Sequence, residues 1–448
     1  MTDRQPVRVR LRHRPISPLR EHLREAFWLA PLLACLGAVL LAGVADRLDV
    51  ELVDEAFRVD GNAADLVSFA AAAKSVVATV SSAMLTFIGV VFSISLVSLQ
   101  MAASQFSPRV LRLYVRSRLT KATFSACLAT FVFTLLVQLG YEDTTDPAKV
   151  TTVPVVSTLV AVLLVLLSLG LFVLYVQATL RLLRVPYVID RVTNESLDII
   201  GHYRRQAPET GTAPADRAHT ITLLHEGRSG VLRDVNYARL VRLARRHDTV
   251  LHLVPTIGDF LTPGTPTVRV LGGVPPRPRR IASALNTGVD RTMHQDLGFG
   301  FRQLVDIAIR ALSPAVNDPT TAVQSVDRIH QLLAALVGEP FDELVCRDRG
   351  GTIRVVQPVP TWQGVIDLAF TEIRICGAGH PQLTRRLAAA LDDLLRIAPE
   401  DRRPVLLVQR DLLALAVADH VPDPQNRAFA LTPDHQGIGT AVNRANVA

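Results

Sequence analysis

Four long runs without a charged residue constrain this chain more than any other feature: Ala26–Ala45, Ser75–Pro108, Ala122–Tyr141 and Val150–Leu180, of 20, 34, 20 and 31 residues. About 20 apolar residues carry a helix across the hydrocarbon core of a bilayer, so each run is long enough to cross once. A backbone inside that core must satisfy its own hydrogen bonds, which makes helices the expected element. Of 448 residues 49% are apolar and 20% charged, with a mean hydropathy of +0.28, and the apolar excess lies between residues 26 and 184. Residues 185–448 have the composition of ordinary soluble protein. A purely soluble enzyme, a disordered chain and a disulfide scaffold are thereby excluded. The expected fold class is an α-helical transmembrane domain of four spans plus a cytoplasmic mixed α/β domain.

The flanking charges orient the spans. Seven arginines (Arg4, Arg8, Arg10, Arg12, Arg14, Arg20, Arg24) precede the first run, and Arg109, Arg112, Arg116, Arg118 and Lys121 separate the second from the third. The connection 46–65 carries two Arg against seven acids, and 142–149 one Lys against three. The positive-inside rule then puts both termini and the 109–121 loop in the cytoplasm of a prokaryotic plasma membrane. The length of chain before residue 26 favours a retained first span over a leader cleaved near Gly43-Val44-Ala45. Arg109, Arg112, Arg116 and Arg118 alternate with Val110, Leu111, Leu113, Tyr114 and Val115, the pattern of an interfacial helix on anionic headgroups. Basic residues outnumber acidic ones, 48 to 41, but cluster beside the spans without interleaved aromatics, so no nucleic acid is expected. Cys35, Cys127, Cys346 and Cys376 form no CxxC, and reduced thiols are the default.

Within the second run Ser75, Thr79, Ser82, Thr86, Gly89, Ser93 and Gln100 recur at steps of three, four and seven. At about 100° per residue they fall within roughly 40° of one line. Such a seam either packs closely against a helix through its small residues or lines a hydrated path. Thr123, Cys127, Thr130, Thr134 and Gln138 form a weaker stripe on the third run, and the two stripes are candidates to face each other. At 1.5 Å per residue the second run reaches roughly 50 Å, against a core of about 30 Å, so its helix must tilt or project. No Asp, Glu, Arg or His interrupts the runs, which counts against an ion-coupled transporter.

The remainder divides into a basic N-terminus (1–25), the spans (26–184), an α/β segment (185–280), a helical segment (281–345), a second α/β segment (346–420) and a flexible tail (421–448). Residues 185–200 are expected to continue the fourth helix outward. Gly258–Pro266 resembles the turn and strand of biotinyl/lipoyl-like barrel-sandwich folds, without the lysine that carries a prosthetic group. Gly272–Arg280, with three prolines, reads as a linker, and a strand-to-helix unit is expected from Val405. Leu297, Phe301, Leu304, Val305, Ala308, Ile309 and Leu312 make one apolar helical face. Asp318 and Pro319 read as N-cap and first residue of the next helix. Asp290, His294, Asp306 and Asp318 are a candidate ligand site, and no metal or cofactor is indicated. GxGxxG, the Walker loop, HExxH and GxSxG are all missing, so no catalytic residue is named.

Two stretches, Gln100-Met101-Ala102-Ala103-Ser104-Gln105-Phe106-Ser107-Pro108-Arg109 and the segment Gly300–Thr320, resemble a family of predicted bacterial membrane proteins termed domain of unknown function 2254. The resemblance runs from about residue 25 to 420, implies a prokaryotic plasma-membrane protein, and brings no catalytic residues with it. The expectation is a homo-oligomer, taken as a trimer, that forms a channel-like conduit with a regulatory cytoplasmic domain. The alternative is a non-conducting scaffold or signalling protein recruiting a cytoplasmic partner.

Overall fold

The computed structural model describes residues 28–59, 63–105, 118–139, 155–182, 184–206, 219–339, 341 and 343–439. They fall into two compact units, one within residues 16–184 and one from Val185 onward.

The first unit consists of α1 (Leu29–Val59), α2 (Ala63–Gln105), α3 (Arg118–Leu139) and α4 (Val155–Leu182). Each contains a stretch long and apolar enough to cross a membrane: Leu29–Glu51, Ala72–Met101, Arg118–Leu139 and Val155–Arg181. With 43 residues α2 is about 65 Å long, because it begins well before its apolar run. The helix α3 is central and touches the other three. Its span is 39% buried, against 17–22% for the rest, because small and hydroxylated residues let neighbouring backbones approach.

In the second unit α5 (Val185–Gln206) is followed by β1 (His219–Leu224), β2 (Gly230–Val235), α6 (Tyr237–Arg246), β3 (Val250–Leu253), β4 (Phe260–Leu261), β5 (Pro266–Leu271), α7 (Pro278–Ala282) and β6 (Leu285–Gly288). Then come α8 (Leu297–Ala311), α9 (Pro319–Leu336), β7 (Leu344–Arg347), β8 (Ile353–Gln357), α10 (Trp362–Gly377), α11 (Pro381–Ile397), α12 (Arg403–His420) and α13 (Pro424–Leu431). A five-stranded sheet has the order β1-β5-β3-β8-β7, antiparallel except for the parallel pair β3–β8. A three-stranded antiparallel sheet has the order β4-β2-β6. Leu240 and Ala244 of α6 join Leu251, Val268 and Val355 in one core. The helices α8 to α13 form a separate layer in which α8 packs on α9 and α10, and α11 on α9, α12 and α13.

Several expectations need correction. The helix α5 is a separate element that packs on α8 and α9, so residues 185–200 do not simply prolong α4. The Gly258–Pro266 stretch feeds two different sheets through β4 and β5. No strand begins at Val405: Pro404 presets the first turn of α12, and Leu406, Gln409, Leu413 and Val417 are its buried residues. Their spacing is helical, whereas Val405–Val408 alone reads equally as a short strand. Residues 421–439 are no flexible tail either. They hold α13 and a loop fixed to α11, where Arg385 donates to the carbonyls of Thr432 (3.1 Å) and Gly439 (3.0 Å) and Gln382 to that of Gly437 (2.7 Å).

Candidate functional site

The two polar stripes of the membrane unit have different fates. On α3, Thr123, Cys127, Thr130 and Thr134 are buried and Gln138 is half-buried. Their partner is α4: the Thr130 hydroxyl lies 3.0 Å from that of Ser168, and Thr123 donates to the Leu171 carbonyl at 3.2 Å. On α2, Ser75, Thr79, Ser82, Thr86, Gly89, Ser93 and Gln100 are all exposed on the protomer. The stripes therefore do not face each other. The packed face of α2 is formed by Ala73, Val77, Ser81, Met84, Val91 and Ser98, at steps of three, four and seven. Met84 lies two residues from both Ser82 and Thr86, roughly 160° around the helix. Thus α2 carries two heptad-like stripes on opposite sides, of which the protomer covers one. Thr79 and Thr86 donate to the carbonyls of Ser75 (2.8 Å) and Ser82 (3.5 Å) on their own helix, and a Cβ added at Gly89 would meet nothing within 4 Å.

Sequence spacing gave no sign of Asp49. This buried residue of α1 accepts hydrogen bonds from the backbone of Val156 (2.7 Å) and Ser157 (3.1 Å) and from the Ser157 hydroxyl (2.5 Å). A carboxylate from one helix thus caps the positive N-terminal end of α4. A sequence separation of 107 between the partners makes this contact invisible to local patterns.

Arg109, Arg112 and Arg116 lie outside the described residues, as does the end of the first family-like motif, residues 106–109; Arg118 opens α3 and is exposed. In the second unit the candidate ligand residues do not converge. Asp290 and His294 precede α8, with His294 3.9 Å from Asp234. Asp306, in the third turn of α8, pairs with Arg302 at 2.6 Å. Asp318 lies beyond the other end of that 15-residue helix, about 22 Å of rise from Asp296, and caps α9 through the Thr321 backbone N–H at 3.0 Å. One ion cannot be shared across that span. Among the described residues no group of three His, Cys, Asp or Glu has metal-binding geometry.

What Gly300–Thr320 builds is a helix–turn–helix held from three sides. A Cβ on Gly300 would overlap the Ser196 hydroxyl, so the missing side chain lets α5 lie against α8. Arg302 bridges to α10 through both oxygens of Glu372, at 2.5 and 3.0 Å, and the Glu372 bonds first of all hold its guanidinium above its ordinary pKa. The turn closes where the Asp318 N–H donates to the Ala311 carbonyl at 2.8 Å, with Asn317 in the left-handed region at φ 47°. Asn tolerates that conformation better than most residues. Upstream, Asp296 caps α8 through the Phe299 backbone N–H at 3.0 Å and is 4% exposed. Burial pushes its carboxyl up to about 6, although Arg291 and the N–H groups of Phe299 and Gly298 pull the other way.

The model of the predicted membrane protein family DUF2254 matches residues 24–393, covering all four spans and the motif just described. This chain belongs to the DUF2254 family. Two relatives, uncharacterized proteins of Mycobacterium bovis and of Mycobacterium tuberculosis H37Rv, are each 30% identical over 380 residues, covering 80% of this chain and 71% of theirs. A third, from Mycobacterium tuberculosis CDC 1551, is 29% identical over the same length. No solved structure matches. The DUF2254 match ends inside α11, short of the residue 420 expected from the motifs.

Proposed function

We propose that this DUF2254 protein is a homo-oligomeric, channel-like conduit of a prokaryotic plasma membrane, with both termini cytoplasmic and the soluble unit regulating it. One observation supports this most: the seam of α2 is exposed on the protomer, opposite the stripe that packs inside it. A lipid-facing helix has no use for a hydroxyl-and-glycine stripe from Ser75 to Gln100, whereas copies meeting around an axis do. A trimer is the assembly we take forward. Orientation rests on the loop charges. The self-satisfied hydroxyls of Thr79 and Thr86 favour a second reading, a non-conducting scaffold whose copies pack through the same seam.

Two variants separate these readings. Thr86→Cys should give a crosslinked ladder in native membranes, and its top rung counts the copies. Thr86→Trp should abolish conductance in planar bilayers without preventing assembly. A ladder with no conductance at any voltage or tension leaves the scaffold. No ladder at Thr86 or Gly89 overturns the seam as an interface.

A further inference from the structure

The soluble unit presents a dense cationic face that the conduit reading does not use. On α6 the inward residues Leu240, Val241, Leu243 and Ala244 are buried, while Arg239, Arg242, Arg245 and Arg246 are exposed. The neighbouring segment runs antiparallel along this helix. At one end the Val274 N–H donates to the His247 carbonyl at 3.3 Å, and at the other the Asn236 N–H donates to the Ala284 carbonyl at 2.8 Å. Gly273, at φ 53°, makes the approach possible, since a Cβ there would collide with the backbone of His247 and Asp248. The segment between those two bonds carries Arg277, Arg279 and Arg280, all exposed.

Seven exposed guanidinium groups are therefore carried by α6 and the segment tied to both its ends, and among the described residues none of them is in an ion pair. The nearby Asp248 is already engaged by Arg354 at 2.8 Å. Seven like charges held together this way repel one another unless an anionic partner covers them.

We propose that this face is a membrane-contact surface, binding the phosphates of anionic lipid headgroups. Connectivity supports it, because only residues 183 and 184 separate α4 from α5, so the unit is tethered to the bilayer at high effective lipid concentration. Val274, 70% exposed at the turn that opens the segment, is an apolar side chain suited to the headgroup boundary. A nucleic-acid surface of this charge would offer aromatic faces for stacking. Here the one aromatic of α6, Tyr237, is buried, with its hydroxyl donating to Gln357 at 2.7 Å.

The test uses the full chain in lipid nanodiscs, with phenylglyoxal labelling of individual arginines read by mass spectrometry. With roughly a third phosphatidylglycerol in phosphatidylcholine, labelling of Arg242, Arg246 and Arg279 should slow about fivefold relative to phosphatidylcholine alone. High salt should reverse this, and Arg396, exposed on α11, should not change. Arg242→Gln with Arg246→Gln, both surface substitutions, should reduce the protection of Arg239 and Arg279 at unchanged thermal stability. Equal labelling in the two disc types overturns the proposal. So does protection by a single-stranded RNA oligomer in phosphatidylcholine discs when phosphatidylglycerol gives none.

Discussion

Replacing Asp296 by Asn should stabilise the second, mixed α/β unit above neutrality and leave it unchanged in acid. The carboxyl is pushed up to about 6 in the folded chain, chiefly by burial, from an ordinary value of 3.8. An acid with a raised folded pKa favours folding when protonated. Its contribution is complete below about pH 4, and it is lost as pH rises through about 6. At 1.36 kcal/mol per unit the loss amounts to about 3 kcal/mol. Asn keeps an oxygen for the Phe299 N–H and caps a helix about as well as Asp, while removing the charge. The variant should therefore gain up to about 3 kcal/mol over wild type at pH 8 and nothing at pH 4. Urea titration in detergent, followed by the fluorescence of Trp362, reads the helical layer directly once Trp28, the other of two tryptophans, is changed to Phe. A wild-type-to-variant difference that is flat from pH 4 to 8, or that favours wild type at pH 8, would refute desolvation as the dominant effect.

Two further predictions concern packing and capping. Gly300→Ala drives a methyl group into the Ser196 hydroxyl, so α5 must shift from α8; the same urea titration should show a loss of about 1–3 kcal/mol, partly recovered by Ser196→Gly. Asp49→Ala leaves the Val156 and Ser157 N–H groups without their charged acceptor and should cost about 2–3 kcal/mol in SDS-induced unfolding from mixed micelles, with Asp49→Asn intermediate. Equal stability of wild type and Asp49→Ala would mean that another group caps α4.

Elements defined by local pattern were readable from the residues alone. The four apolar helices and the Asp318 cap with Pro319 depend on hydropathy and short-range hydrogen bonding, and the structure has them near the expected positions. The Arg302–Asp306 pair follows from i, i+4 spacing, but its extension to Glu372, 70 positions away, does not. The Val405 segment went astray because four apolar residues carry no period, and burial on α12 is what reveals one. Residues 421–439 went astray because polar, proline-containing sequence gives no local reason to order; the anchor is Arg385, supplied by another helix.

By itself the sequence determined that the chain has four helices long and apolar enough to cross a membrane and a mixed α/β unit after the last of them, since the apolar length needed to cross lipid is a local quantity. It also determined that α2 has a polar stripe. Only the tertiary structure decided which stripe is consumed within the protomer. Thr123, Cys127, Thr130 and Thr134 are closed against α4 while Ser75 to Gln100 stay open, because α2 meets its neighbours through Val77, Met84 and Val91. Helix periodicity says which residues share a face, and packing alone says what that face meets.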